Sequence, residues 1–291
     1  MTKTSSAIRP VAAPGTIVVV GATSGIGRAA ARRLAARGNR VIAVGRNERR
    51  GRELLGDLVA HTPAIGSHTF IAGDVSTAPG VAEIADHIRD RTAVVDVLVN
   101  AAGLVAPRRE LTVEGVELNF AVHHLAPYSM TGRLLPLLRA GSGRVVNVNS
   151  EGHRTTMNGR GVSLDFRDLQ SEGSYDPWLA YSRSKLANLL FADELHRRHP
   201  DLGVVALHPG VVRTRIGRSF PRVKVALLLV FAVSAEQGAR PVVHLATDPE
   251  VSNGGYYDRF AQVTPSAAAR DRGAAARLWR LTEDLRGPFG H

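Results

Sequence analysis

The chain of 291 residues contains no cysteine. That absence excludes disulfides, thiolate nucleophiles and Cys-ligated zinc, and it leaves the redox compartment open. Long apolar runs are missing too. The longest, Val225 to Val233, falls far short of the roughly 20 residues that span a bilayer. The stretch from Met1 to Gly15 is polar, carries Pro10 and Pro14 and has no apolar h-region. It reads as a flexible arm rather than a signal peptide. No repeat, low-complexity tract or internal boundary marks a second domain. No RNP-like, zinc-finger or helix-turn-helix pattern accompanies the net charge of +11. That surplus is mostly arginine spread over helix faces and turns, so nucleic acid is not an expected partner.

What is present is an alternating pattern. The hydrophobic content of 44% and charged content of 22% are those of a globular chain. Its length suits one large α/β domain over residues 16–291. The β-branched run Ile17 to Val20 reads as a strand buried on both faces. Arg28 to Arg37 reads as a helix ended by Gly38-Asn39. Between them lies Gly21-Ala22-Thr23-Ser24-Gly25-Ile26-Gly27. Alone, such a heptapeptide also fits an ordinary turn. In a strand-to-helix context its glycines allow positive φ and bare backbone beside a phosphate. The helix N-terminus behind them is an anion site, which suggests a dinucleotide.

Arg40 to Val44 reads as the second strand, followed by Gly45-Arg46-Asn47 and a helix to about His61. A dinucleotide fold places an acid near the end of this strand to bind a ribose hydroxyl. Arg46 stands there instead, and a guanidinium pairs with a 2′-phosphate that an acid would repel. NADP(H) is therefore expected over NAD(H), with Ser24 or Arg28 as a second contact. Further strands are expected over 67–72, ending at Asp74-Val75, and over 94–99, closing on Asn100-Ala101-Ala102-Gly103. Asp74 would receive an adenine amino group or cap the next helix near Ser76-Thr77. A long helix bent by Pro127 and Pro136 is expected over 110–138, then a strand delivering Asn149-Ser150. Residues 151–178 form a long connection of the kind that lips a site. Helices over 179–199 and 234–246 and strands over 204–207 and 254–257 complete the pattern.

The helix after the long connection carries Tyr181 and Lys185, four apart and so on one face. A phenol is a poor acid–base group at neutral pH unless a nearby cation stabilises its phenolate. By itself the pair also fits a surface tyrosine and a solvated lysine. Taken in order with the glycine turn, Asn100 to Gly103, Ser150 and Pro209-Gly210, it resembles the short-chain dehydrogenase/reductase family. The likeness spans about 16–285. Leu164 to Gln170, Tyr175 to Leu190 and His208 to Thr214 are specific for its retinol dehydrogenase-like branch.

The resemblance implies a single doubly wound Rossmann-type α/β domain with a parallel sheet of about seven strands and helices on both faces. Tyr181 would be the acid or base, Lys185 would lower its pKa and hold the nicotinamide ribose, and Ser150 would hydrogen-bond the substrate oxygen. Gly21, Thr23, Ser24, Gly25, Ile26, Gly27, Arg46, Asp74 and Val75 would line the cofactor, with Asn100 to Gly103, Pro209, Gly210 and Val212 beside them. Thr214 would meet the carboxamide, and residues 213–233 would form the substrate lid. The implied activity interconverts a carbonyl and an alcohol on a lipophilic small molecule, in the cytoplasm. Family members often form dimers or tetramers through the Tyr-bearing helix and its neighbour.

One departure matters. His123 occupies the position of the family's fourth catalytic residue, an Asn that anchors a water behind Lys185 through its carbonyl. His123 keeps that carbonyl, so it is a candidate relay position, but its imidazole would titrate near neutrality or pack as a neutral core residue. The alternative is a dinucleotide-binding scaffold or regulator with weakened chemistry. Contact of 225–233 with a membrane surface is less favoured than a buried lid. A light-driven reductase of the same branch is disfavoured, since the cysteine such enzymes use is absent.

Overall fold

The computed structural model describes residues 8–11, 14–62, 68–156, 159–212 and 232–290. Among them the strands are β1 (Thr16–Val20), β2 (Arg40–Gly45), β3 (Thr69–Ala72), β4 (Val97–Asn100), β5 (Arg144–Val148), β6 (Gly203–His208), β7 (Tyr256–Asp258) and β8 (Ala261–Gln262). They form one sheet in the order β3-β2-β1-β4-β5-β6-β7-β8. All pair in parallel except β8, which runs antiparallel to β7. The sheet therefore has an eighth, edge strand beyond the expected seven; two exposed residues after a tight turn leave little periodicity to read.

Strand alternation builds two cores, because successive side chains point to opposite faces. Val18, Val20, Ile42, Val44 and Leu98 pack on one face of the sheet, and Ile17, Val19, Val41, Ala43 and Val97 on the other. Helices α1 (Gly25–Ala35), α2 (Glu48–His61) and α3 (Ala78–Arg89) follow the first three strands. Asn47 and Thr77 cap α2 and α3 by accepting from the backbone N–H of Arg50 and Gly80.

The helix expected over 110–138 starts later and is divided. Leu111 and Glu117 form a bridge that closes a turn, and the Glu117 carboxylate then accepts from the N–H groups of Asn119 and Phe120 to start α4 (Leu118–Phe120). A π-helical turn over Ala121–Leu125 carries His123 and His124, before α5 (Ala126–Arg133) and α6 (Leu135–Ala140). The break between α5 and α6 falls at Leu134, before Pro136, whereas Pro127 sits without harm in the first turn of α5.

Helix α7 (Pro177–Arg198) begins with Pro177 in its first turn and an Asp176 cap donated to by Leu179 N–H. Helix α8 (Ala235–Thr247) starts with a capping box of Ser234 and Gln237. Beyond the elements expected from the sequence, α9 (Arg272–Arg286) packs along α7. Trp279 of α9 stacks on Phe191 at 6.1 Å, with Arg198 over its ring at 4.8 Å. The described part of the expected arm is tied down. Ile8 is buried against Gly203, while the carbonyls of Arg9 and Pro10 accept from Arg144 and Ser142. No helix among the described residues is long and apolar enough to cross a membrane.

Candidate active site

The strand order reverses between β1 and β4, so their carboxyl ends open a crevice where such sheets bind ligands. A cleft of about 480 Å³ lies there. Its floor is the glycine turn. Gly21 has φ +88°, and a Cβ on it would lie 2.6 Å from the Ala102 nitrogen. A Cβ on Gly27 would lie 2.3 Å from the Gly21 carbonyl oxygen. Glycine at these positions lets the turn close against the β4 loop and keeps bare backbone facing the cleft.

Gly21, Thr23, Ser24, Gly25, Ile26, Gly27, Arg46, Asp74, Val75, Ala101, Ala102 and Gly103 all line this cleft, as expected from the sequence. Asp74 also accepts from Ser76 N–H at 3.0 Å, so it shapes the turn before α3, while Thr77 caps that helix. Arg28 does not line the cleft; it pairs with Asp57 at 2.9 Å. In its place stands Arg50, in the first turn of α2 and beside Arg46 in the cleft wall. Its spacing of one helical turn from Arg46 was the available signal.

Asn100 sits at the end of β4 and donates to Asn147 of β5 at 3.0 Å, which fastens the two strands below the cleft. Gly210 has φ +88° after Pro209. Val212 packs against Gly238 of α8 near Ile26, so the β6 loop abuts the glycine turn. Val212 and Val233 form a parallel bridge. Thr214 and most of the expected lid, residues 213–231, lie outside the described residues.

The second wall is built from buried side chains. The Tyr181 ring and the Ser150 hydroxyl close on Gly152 together: a Cβ there would lie 3.3 Å from Tyr181 Cε1 and 3.3 Å from Ser150 Oγ. Burial pushes the phenol above its ordinary value, and the nearby Ser150 hydroxyl opposes that rise. Lys185 is 6% exposed, donates to Val148 O at 3.0 Å, and its ammonium lies 5.8 Å from the Tyr181 ring centroid. Burial lowers its pKa to about 8. The expected lowering of Tyr181 by Lys185 is absent among the protein's own groups: burial raises the phenol, and Ser150 is what opposes it.

His123 is 1% exposed. Its Nε2 accepts from Leu104 N–H at 3.1 Å, which places the ring proton on Nδ1. Nδ1 then donates to Ser184 Oγ at 2.8 Å, and Ser184 donates to the Tyr181 carbonyl at 2.7 Å. Burial, helped by Lys185, holds the imidazole well below its ordinary pKa. Of the two readings of this ring, titration near neutrality or a neutral core residue, burial and the neighbouring cation favour the second. The His123 carbonyl accepts from Asn188 Nδ2 at 2.8 Å. Asn188 Oδ1 accepts from Asn149 Nδ2, which also donates to Lys185 O, and Asn149 Oδ1 accepts from Ser150 N–H at 2.7 Å. Ser184, Asn188 and the role of Asn149 had no local signature, since their partners lie far away in sequence.

The structure brings together Ser150 after β5, Tyr181 and Lys185 of α7, and His123 of the π-helical turn, with Lys185 and His123 next to Gly103. A Cβ on Gly103 would lie 3.4 Å from His123 Nε2 and 4.0 Å from Lys185 Nζ. Such an arrangement can move a proton to or from an oxygen held by Ser150. Residues 15–162 match a family model described as short chain dehydrogenase. The chain is 38% identical over 270 residues to a protein provisionally named daunorubicin C-13 ketoreductase DnrU of Streptomyces sp. (strain C5), covering 92% of this chain and 91% of that one. It is 32% identical over 298 residues to human retinol dehydrogenase 14, covering 94% and 86%. A crystal structure of an uncharacterized protein from Mycobacterium paratuberculosis superposes with a TM-score of 0.76 at 32% identity, covering 97% of both chains.

Proposed function

The chain belongs to the short-chain dehydrogenase family, in its retinol dehydrogenase-like branch, as an oxidoreductase of alcohols and ketones, and from that premise we propose that it uses NADP(H) on a lipophilic substrate. The observation that carries the cofactor choice is Arg46 beside Arg50 where an acid would bind a ribose diol. Neither guanidinium forms an ion pair among the described residues, so both remain available to a 2′-phosphate. The cradle itself fits a dinucleotide: bare backbone at Gly21 and Gly27, the α1 N-terminus behind it, and Asp74 at the adenine end. Leu104, Val105 and Val122 line its inner end with apolar surface. Relatives named for retinol, a lipid alcohol, and for the C-13 ketone of daunorubicin support a lipophilic substrate.

When bound, the nicotinamide supplies or accepts the hydride, and its oxidised form adds a positive charge that favours the phenolate. The protein handles the proton. Ser150 and Tyr181 donate to the substrate carbonyl oxygen in reduction, and Tyr181 transfers its proton there. In oxidation its phenolate takes the alcohol proton. Lys185 steadies the phenolate, and Val148 O orients the ammonium. His123 leaves this chemistry intact because its ring stays neutral and its Nε2 is spent on Leu104.

The expected homo-oligomer cannot use the face of α7 that α9 already covers, so we place any subunit contact elsewhere; size-exclusion chromatography with light scattering measures it. A cytoplasmic location is part of this proposal, and cell fractionation checks it. The direct test titrates NADPH and NADH by fluorescence and follows absorbance with a panel of apolar aldehydes and ketones. Tighter NADPH binding with NADPH consumption is expected. NADH preference overturns the cofactor reading, and bound but unconsumed NADPH overturns the catalytic one.

A further inference from the structure

His153 lies outside the constellation the sequence singled out, yet it is 0% exposed and both its ring nitrogens are engaged. Nδ1 lies 2.8 Å from the Ser150 carbonyl oxygen, which can only accept, so Nδ1 carries the proton. Nε2 then accepts from the N–H of Ser266 at 3.3 Å. The same Ser150 carbonyl also accepts from His153 N–H at 3.2 Å. The ring stands edge-on to Tyr256, centroids 5.0 Å apart. Glu151, Arg154 and His208 are the charged and titratable neighbours. Burial outweighs them and keeps the imidazole neutral.

On the other side of Ser150, its N–H donates to Asn149 Oδ1, and Asn149 reaches α7 through Lys185 O and Asn188. The peptide units flanking Ser150 are thus fastened to two different bodies. One is α7, which bears Tyr181. The other is the segment between β8 and α9, which bears Ser266. We propose that His153 is a positioning residue that fixes the Ser150 hydroxyl against Tyr181 by donating its Nδ1 proton to the Ser150 carbonyl. This rests on the reading of Ser150 as the group that orients the substrate oxygen. A serine held from one side only would let the hydroxyl drift, and a displacement of about 1 Å costs on the order of 100-fold in rate.

The test compares His153→Leu, which removes the donor, with His153→Asn, whose amide can still donate to the Ser150 carbonyl. NADPH affinity by fluorescence, kcat and KM for a turned-over ketone, and the imidazole ¹⁵N spectrum are measured. H153L is expected to lose roughly 30-fold in kcat with KM and NADPH affinity within about threefold, and H153N to recover to within about threefold of the parent. The resonance lost in either variant should report a neutral ring protonated on Nδ1. Wild-type kcat in H153L, equal loss in both variants, or a proton on Nε2 overturns the proposal. If H153L no longer binds NADPH, the decision passes to H153N: kcat near the parent supports the clamp, and a loss of about 30-fold contradicts it. A parent protein that turns over no ketone defeats the functional reading instead, and the ¹⁵N spectrum still decides the clamp.

Discussion

On the nucleotide side of the cleft, Gly21 and Gly27 present backbone alone, and the charges, Arg46 and Arg50, stand at the outer rim. On the catalytic side, Ser150, Tyr181, Lys185 and His123 are fixed by other side chains and carbonyls. The first wall works by omission: it leaves space, N–H groups and two cations without an ion pair among the described residues for a ligand to fill. The second works by mutual restraint: Val148 of β5 holds Lys185 of α7, and Leu104 and Ser184 hold His123. Loss of one contact in the first wall should weaken binding in proportion. In the second it should spread to groups that do not touch the substituted residue.

The largest effect is expected from Tyr181→Phe. Removing the proton donor should lower kcat by about 10²- to 10⁴-fold while NADPH binding, set by the other wall, holds. A loss of NADPH affinity of similar size would break the division between the walls. Next come Arg46→Ala and Arg50→Ala. Each should weaken NADPH by roughly tenfold, the worth of one charge-assisted hydrogen bond, and leave NADH unchanged in fluorescence titration. Equal weakening of both dinucleotides would assign these arginines to something other than the 2′-phosphate.

A third prediction concerns acid. Burial lowers His124 to about 3 and holds His123 well below its ordinary range, whereas both titrate normally once unfolded. Below about pH 6.5 the unfolded chain therefore binds more protons, and stability falls as pH drops, by about 1.4 kcal/mol per pH unit for each such ring. Urea midpoints between neutral pH and pH 4 should show this slope, and His124→Phe should reduce it by one proton's worth. An unchanged slope in that variant would mean His124 is not neutral in the fold. The smallest effect is expected from His123→Asn. An amide can accept from Leu104 N–H as Nε2 does, so kcat should stay within about fivefold. A gain of orders of magnitude would show the natural residue to be crippling.

The first wall was legible in the sequence because its rules are local. Glycine spacing between a β-branched run and an alanine-rich helix fixes a turn, and Arg46 one residue past β2 fixes the charge at its rim. Tyr181, Lys185 and Ser150 were legible through family likeness. Their partners were not. Asn188 meets the His123 carbonyl and His153 meets Ser266 across 65 and 113 residues, and no window of sequence contains both ends. The π-turn at His123 and the late start at Leu118 were missed for a related reason. Glu117 caps a helix that apolar periodicity alone would begin at residue 110.

The central claim is that the protein's two walls bring a hydride source and the Tyr181 proton to one carbonyl. NADPH deuterated at nicotinamide C4, incubated with a ketone the protein reduces, tests it by mass spectrometry of the product. One deuterium at the carbinol carbon, with the yield collapsing in Y181F, is the predicted result. An alcohol formed without that deuterium, or formed equally well by Y181F, would contradict it.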